Sequence, residues 1–273
     1  VETHAGSASY PLTPTWEREY GALYFLEHCE SVPALAGSRY AGLLRDLAAP
    51  ERDPPLYPGS PYLALSLLAR AAHEFVFCDL DVESLETIRD TARELRLPEQ
   101  KVHCLHGEGI AAVERLVADL DEPDRQGTFV HIDGYRPFEA LGDAPSCIEL
   151  FCRIAGLGVG VMMWYGFHSD PAPGHIGRHD CHEAIRSHLA RTGLGGGGSS
   201  SPWTAEIWLE AMGRPGFDAV NPGVHGCGIL CANLQSAARD RCARLVADLA
   251  RIYHGARLPG DWSGALRFEV IRF

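Results

Sequence analysis

No apolar run in this sequence approaches the ~20 residues that a bilayer-spanning helix needs, so nothing in it reads as a membrane segment. Cysteine is present without a Cys-X-X-Cys pair. The nine thiols, at positions 29, 78, 104, 147, 152, 181, 227, 231 and 242, are odd in number and several stand inside apolar runs. That excludes an evident disulfide framework and predicts reduced thiols in a cytoplasmic protein. Positive charge is scarce as well, 24 Lys and Arg against 36 Asp and Glu, for a net charge of −12. Binding to a phosphate backbone draws its affinity from clustered Lys and Arg, so nucleic acid is a poor default partner. A leader peptide is also lacking, but the chain opens at Val1 without an initiator Met, so this excludes little.

What is present fits a soluble globular chain. Its 273 residues are 46% hydrophobic and 22% charged, long enough for one large α/β domain or two smaller ones. Residues 2–10 are rich in small side chains and begin where the end of a strand would stand. Small residues there let backbone approach a ligand closely, as in nucleotide and S-adenosylmethionine (SAM) sites. Residues 15–48 carry helical periodicity broken by Pro33 and Gly37, which predicts a small helical insert at about 15–56. In Tyr57-Pro58-Gly59-Ser60-Pro61, Ser60 and Pro61 are suited to cap and begin a helix continuing over 62–72.

Residues 74–81 read as a buried strand ending in acid, followed by a helix over 83–96. An acid there, after a small-residue loop at the first strand, suits a ribose hydroxyl; Asp79 is the better placed, with Asp81 behind it. A third strand over 101–105 leads into His106-Gly107-Glu108-Gly109 and a helix over 110–120. Residues 128–132 form another β-prone run that ends in Asp133-Gly134-Tyr135-Arg136. On its own this is either an ordinary strand-to-loop junction or an active-site edge, because ligands bind outside the carboxyl ends of parallel strands. A helix near 144–155 and a strand over 159–166 follow. The alternation predicts a doubly wound parallel sheet. The loop 171–182 is dense in metal-binding residue types, but His179, Cys181 and His182 match no common zinc spacing and read as a surface loop opening a helix at 181–191. Residues 195–201 have linker composition. Strands within 204–212, 225–232 and 266–271 and a helix over 236–253 predict an antiparallel end to the same sheet, in one domain of 1–273.

Taken together, residues 2–6, Glu19-Tyr20, Tyr57-Pro58-Gly59-Ser60-Pro61, strands ending at Asp79 and Asp133, and Trp164-Tyr165 resemble the RlmJ-type ribosomal RNA adenine-N6 methyltransferases. The resemblance covers most of the chain. It implies a class I, Rossmann-like, SAM-dependent methyltransferase fold with a helical insert. By position it implies that His4, Gly6, Ser60, Asp79 and Gly107 hold SAM, with Asp79 on the ribose in place of a glutamate. His106 stands on the adenine side, where the family has an acid. In the family an N-terminal segment closes over SAM, and this sequence does not include it.

The chain departs from that family where it matters for chemistry. Such enzymes carry Asp-Pro-Pro-Tyr at the base-binding strand end, where acid and proline carbonyl accept hydrogen bonds from the amine and the tyrosine stacks on the flipped base. Here Asp133 remains, both prolines are missing and Tyr135 sits one place early. A clamp rebuilt in this way is poorly suited to adenine. Two catalytic readings remain, methyl transfer to a small-molecule acceptor and reaction of SAM alone. The second resembles the azetidine-2-carboxylate synthases of natural-product pathways, in which Asp133 would accept or orient the amine and Tyr135 and Tyr165 would confine the sulfonium. A regulator that binds SAM without turnover is the non-enzymatic reading. Oligomeric state is not legible.

Overall fold

Two β-prone runs separated by an amphipathic helix form the first parallel pair. Strand β3 (Phe75–Asp79) pairs with β4 (Val102–His106) from Phe75↔Val102 to Asp79↔His106. The crossover contains helix α5 (Val82–Glu94). Leu85, Ile88 and Ala92 recur at helical spacing on its buried face and pack on Phe75, Phe77, Ala5, Ala8 and Leu65. Asp81 starts this helix, its carboxylate accepting from the amides of Glu83 and Ser84. The computed structural model that shows this describes all residues except 14–17, 50, 141, 143, 170–175, 196–200 and 218–223. By contacts the chain divides into two compact units, Val1–Arg115 and Leu116–Phe273.

In the first unit the opening residues run parallel to β3: Glu2 pairs with Phe77, and the Ala5 amide donates to the Cys78 carbonyl at 3.0 Å. The short strands β1 (Ser9–Pro11) and β2 (Leu56–Pro58) pair antiparallel. Between them lies the insert, with helices α1 (Tyr24–His28), α2 (Pro33–Ala36) and α3 (Arg39–Leu47). Pro33 opens α2 as its first residue, where the missing amide hydrogen is no loss, and Ser38 caps α3 through the Ala41 amide. Helix α4 (Ser60–Leu68) begins at Ser60 with no side-chain cap. The expected cap at Ser60 is thus corrected: its hydroxyl donates to Glu2 Oε2 at 2.9 Å instead. Helix α6 (Gly109–Ala118) follows β4.

The second unit begins with α7 (Glu122–Gly127) and β5 (Phe129–Ile132), which runs parallel to β6 (Gly160–Phe167). Their crossover helix, α8 (Cys147–Gly156), starts with a reciprocal cap between Ser146 and Glu149. After α9 (Arg178–Thr192), strands β7 (Trp203–Leu209), β8 (Gly226–Ala232) and β9 (Leu266–Arg272) complete a sheet of order β5-β6-β8-β7-β9, antiparallel from β6 onward. Helix α10 (Ser236–Ile252) packs on β7 and β9, over Trp203, Ala205 and Cys231, while α8 packs on β6. The α/β class, the helical insert and the antiparallel end are those expected from the sequence. Helix α9 starts at Arg178 rather than 181; the parts of the expected loop at 171–175 and linker at 196–200 lie outside the described residues. Among the described residues no helix is long and apolar enough to cross a membrane.

One row across this sheet is polar, buried at Tyr165 and Glu206 and exposed at Glu269. Register places Tyr165, Gly228, Glu206 and Glu269 side by side on four strands. Glu206 has no solvent exposure. Its carboxylate accepts from the Tyr165 hydroxyl (2.5 Å), from His182 Nε2 (2.6 Å) and from Arg178 Nε (2.7 Å), and Arg178 also bonds Glu269. The Arg178 guanidinium lies 4.1 Å from the centre of the Trp208 ring. Burial by itself raises the pKa of Glu206, but the bonds from His182 and Tyr165, the His182 charge and the bond from Arg178 outweigh it, and the net shift is downward. Burial, then the Glu206 charge, push Tyr165 far above the tyrosine range, so it stays a neutral donor. Glycine makes the row possible, since a Cβ at Gly228 would lie 2.5 Å from the Tyr165 ring and 2.9 Å from Glu206.

Because the pKa of Glu206 is lower folded than unfolded, its ionic contribution is fully present above the ordinary glutamate range and is lost as pH falls through the folded value. Glu206→Gln is expected to lower stability by about 3 kcal/mol at neutral pH, since it leaves a half-buried guanidinium with one anion fewer. Denaturant unfolding of both proteins between about pH 7 and about pH 3 checks this: the gap narrows toward acid, and a gap constant with pH would remove the ionic account.

Candidate functional site

The residues expected to hold SAM lie in the first unit, around the carboxyl ends of β3 and β4. The small-residue turn is built on Gly6, whose φ of +62° is the left-handed region that favours glycine, and a Cβ there would lie 2.6 Å from the Tyr10 hydroxyl. The Gly6 amide donates to Asp79 Oδ2 at 2.7 Å, and the Asp81 amide donates to Oδ1 at 2.8 Å. The following residues are tied to α5: Ser7 Oγ meets Ser84 Oγ at 3.0 Å, and the Ala8 amide donates to Thr87 Oγ1 at 2.9 Å. Asp79 therefore orients the turn and is itself oriented by it. An ionised carboxylate has about four lone-pair sites; these two amides use two, and the two others suit the two hydroxyls of a ribose.

Strand pairing sets His106 opposite Asp79. His106 is exposed, and its Nε2 lies 3.1 Å from the Leu80 carbonyl oxygen. Gly107, at a φ of +155°, donates its amide to the Asp79 carbonyl at 2.9 Å. Glu108, not singled out from the sequence, accepts from the amides of Ile110 and Ala111 and so holds the start of α6. At Gly109 a Cβ would fall 1.8 Å from the Thr3 carbonyl oxygen, so only glycine lets the opening segment run this close. His4 Nδ1 lies 2.8 Å from Thr3 Oγ1.

One sequence expectation changes here, and one residue gains a role. Asp81 was the second candidate for a ribose; its carboxylate is taken up by Glu83, Ser84 and the Ser84 hydroxyl as the cap of α5, and those bonds hold its pKa low. Glu2 went unnoticed, yet it is buried and receives the Ser60 hydroxyl, linking the opening segment to the start of α4. A carboxylate four residues before Gly6 was the available signal.

The residues expected to do chemistry lie in the second unit. Asp133 is the first residue past β5 and is exposed, as is Tyr135, whose side chain is 85% accessible. Arg136 pairs with Glu139 at 3.1 Å. Tyr165 has another occupation: it is fully buried in β6, packs on Phe138 and Phe167, and donates its hydroxyl to Glu206. Its expected place as a wall against a sulfonium is corrected by that burial. Its partner Glu206, and the bonds that His182 and Arg178 make to that carboxylate, were missed by sequence reasoning, although Glu206 stands inside the apolar run of β7 and Arg178 and His182 are one helical turn apart. Among the described residues no cluster of His, Cys, Asp and Glu is arranged to hold a metal ion.

No family model matches the chain and no curated protein matches it. A solved structure, protein LPL1258 from Legionella pneumophila strain Philadelphia 1, of the family DUF519, is 18% identical to it, with a TM-score of 0.64 over 99% of this chain and 86% of the other. A SAM-dependent methyltransferase from Agrobacterium tumefaciens aligns at 11% identity and a TM-score of 0.38, over 64% of this chain and 53% of its own. An rRNA methylase from Streptococcus thermophilus aligns at 14% identity and a TM-score of 0.36, over 64% of this chain and 83% of its own. At those two scores the overlap carries no conclusion. The chain therefore shares its α/β fold, with a sheet of parallel and antiparallel strands, with LPL1258.

Proposed function

We propose that the protein is a SAM-dependent enzyme acting on a small molecule, with the ribose of SAM held by Asp79. The observation that carries this reading is the Asp79 carboxylate, fixed at a strand end by the Gly6 amide and with acceptor capacity to spare. The order β5-β6-β8-β7, parallel and then antiparallel, supports it through the resemblance to class I methyltransferases. Of the other residues expected at SAM, Gly6 and Gly107 position Asp79 by their amides, Ser60 braces Glu2, and His4 and His106 stand beside the turn and beside β3. When bound, SAM supplies a sulfonium with three carbons open to attack.

The finer reading is that SAM is the sole substrate and that the product is azetidine-2-carboxylate. Its basis is the Asp133-Gly134-Tyr135-Arg136 stretch, which keeps the acid of the adenine-N6 enzymes but lacks the prolines that grip a base. In this reaction a bond forms between the α-amine nitrogen and the γ-carbon, the γ-carbon–sulfur bond breaks, methylthioadenosine leaves with the electron pair, and the amine loses a proton. Asp133 is assigned as the group that orients the amine or accepts its proton, and Tyr135 as an aromatic face for the sulfonium. Tyr165 is left out of the chemistry and assigned to the core. Methyl transfer to an acceptor amine or hydroxyl, with Asp133 as base, is the second reading; the surviving acid favours either over a regulator without turnover.

Two measurements bear on this. Asp79→Ala is expected to weaken SAM binding by about 1–3 kcal/mol, the worth of charge-assisted bonds to the ribose; calorimetry showing unchanged affinity removes the assignment. Incubation with SAM alone is expected to yield methylthioadenosine and azetidine-2-carboxylate by mass spectrometry, with Asp133→Ala slowing turnover more than it weakens binding. S-adenosylhomocysteine appearing with an acceptor establishes methyl transfer instead, and no product of either kind leaves a binding protein.

A further inference from the structure

Strand β9 lies at the end of its sheet and pairs, among the described residues, with β7 alone. Its outer edge presents a seven-residue run, Leu266 to Arg272, without proline, lysine or glycine. Proline and lysine commonly stop an edge from recruiting another strand, as other charges do unless they are matched; here Arg267 and Glu269 differ in sign. Phe268, on the face that carries α10, is 42% exposed. It lines a groove of about 530 Å³ together with Leu266 and the small side chains Ala247 and Ala250 of α10.

We propose that this edge is a dimer interface, in which β9 pairs antiparallel with β9 of a second copy about a two-fold axis passing through Phe268. The register follows from charge. An axis perpendicular to the sheet puts residue 268 + n of one copy opposite residue 268 − n of the other, and Arg267 then faces Glu269 twice. Moving the axis to 267 or 269 sets arginine against arginine or glutamate against glutamate, and moving it to 270 leaves Glu269 opposite Ile271. Directly opposed like charges destabilise a pair of strands, and opposed unlike charges favour it.

The chosen register also extends a network already in place. Within one copy Glu206, Arg178 and Glu269 alternate in sign, and Arg267 bonds Glu210. Across the axis Arg267 of the second copy continues the alternation from Glu269, and its own Glu210 closes it. On the opposite face the two Phe268 rings meet at the axis over both grooves, and Ala247 and Ala250 leave room for them. The interface is isologous and closes as a dimer, without propagating into a filament.

Chemical cross-linking reads the register directly. Opposed residues on antiparallel strands have Cα atoms about 4.5–5.5 Å apart, inside the range of roughly 4.4–6.8 Å that a disulfide spans. Phe268→Cys is therefore expected to give a covalent dimer under mild oxidation, at least tenfold faster than wild-type protein with its nine native thiols. Arg272→Cys, equally exposed, sets its two thiols about 27 Å apart in this register and is expected to stay at the wild-type rate. Sedimentation of the wild type should show a monomer–dimer equilibrium, and Arg267→Glu should weaken it at least tenfold. A monomer at every concentration, or a dimer indifferent to both Phe268→Cys oxidation and Arg267→Glu, overturns the proposal.

Discussion

A charged carboxylate with no access to water is costly unless it is fully hydrogen-bonded, and in the second unit the side chains around Glu206 are arranged to meet that requirement. Tyr165 and His182 supply donors from β6 and α9, and Arg178 supplies the opposite charge. Because two of these three come from α9, that helix is anchored to the sheet by polar bonds in addition to apolar contact. The same bonds decide what the cluster can do. Tyr165 is kept neutral and engaged, and the Cys181 thiol beside the carboxylate is pushed up to about 12 by burial and then by the Glu206 charge, so it is no nucleophile. The row belongs to the architecture of the sheet.

The first unit meets a different constraint, close approach of backbone. Gly59 and Gly109 stand where a side chain would overlap the carbonyls of Ser7 and Thr3, at 2.2 and 1.8 Å. These contacts press the opening segment against β3 and bring the Gly6 amide onto Asp79. What the two units have in common is that a close neighbour, backbone in one and side chain in the other, occupies its place because a glycine beside it carries nothing beyond a hydrogen.

Much of the fold was legible in the sequence, for reasons visible in particular residues. Residues 75–79 and 129–133 are short β-prone runs ending in acid, and Leu85, Ile88 and Ala92 show a helix by spacing, so the parallel pairs and their crossovers follow from local pattern. The acid expected at a ribose, Asp79, is where the glycine turn points. Less legible was everything decided by a partner distant in sequence. Ser60 has the identity of a helix cap, but Glu2, 58 positions away, takes its hydroxyl. Tyr165 reads as an aromatic at a strand end until Glu206 and Gly228 are found beside it. Asp81 and Asp79 differ by two places and look alike, and only the start of α5 separates the helix cap from the acid that meets the Gly6 amide.

The two glycines of β8 have a further consequence for how this sheet can vary. Gly226 leaves space taken by Phe167 and Trp208, as Gly228 does for Tyr165 and Glu206. Each row thus holds a nearly constant volume divided unequally among three strands, nothing on the middle one and bulk on both sides. Substitutions within a row should be tolerated only in combination: a side chain gained at 228 has to be matched by atoms lost at 165 or 206, and the loss of the acceptor at 206 takes from the Tyr165 hydroxyl the carboxylate it donates to. Positions 165, 206 and 228 are accordingly one unit of inheritance, and in any lineage of such chains they would drift together or stay put together, whatever becomes of the chemistry at the strand ends.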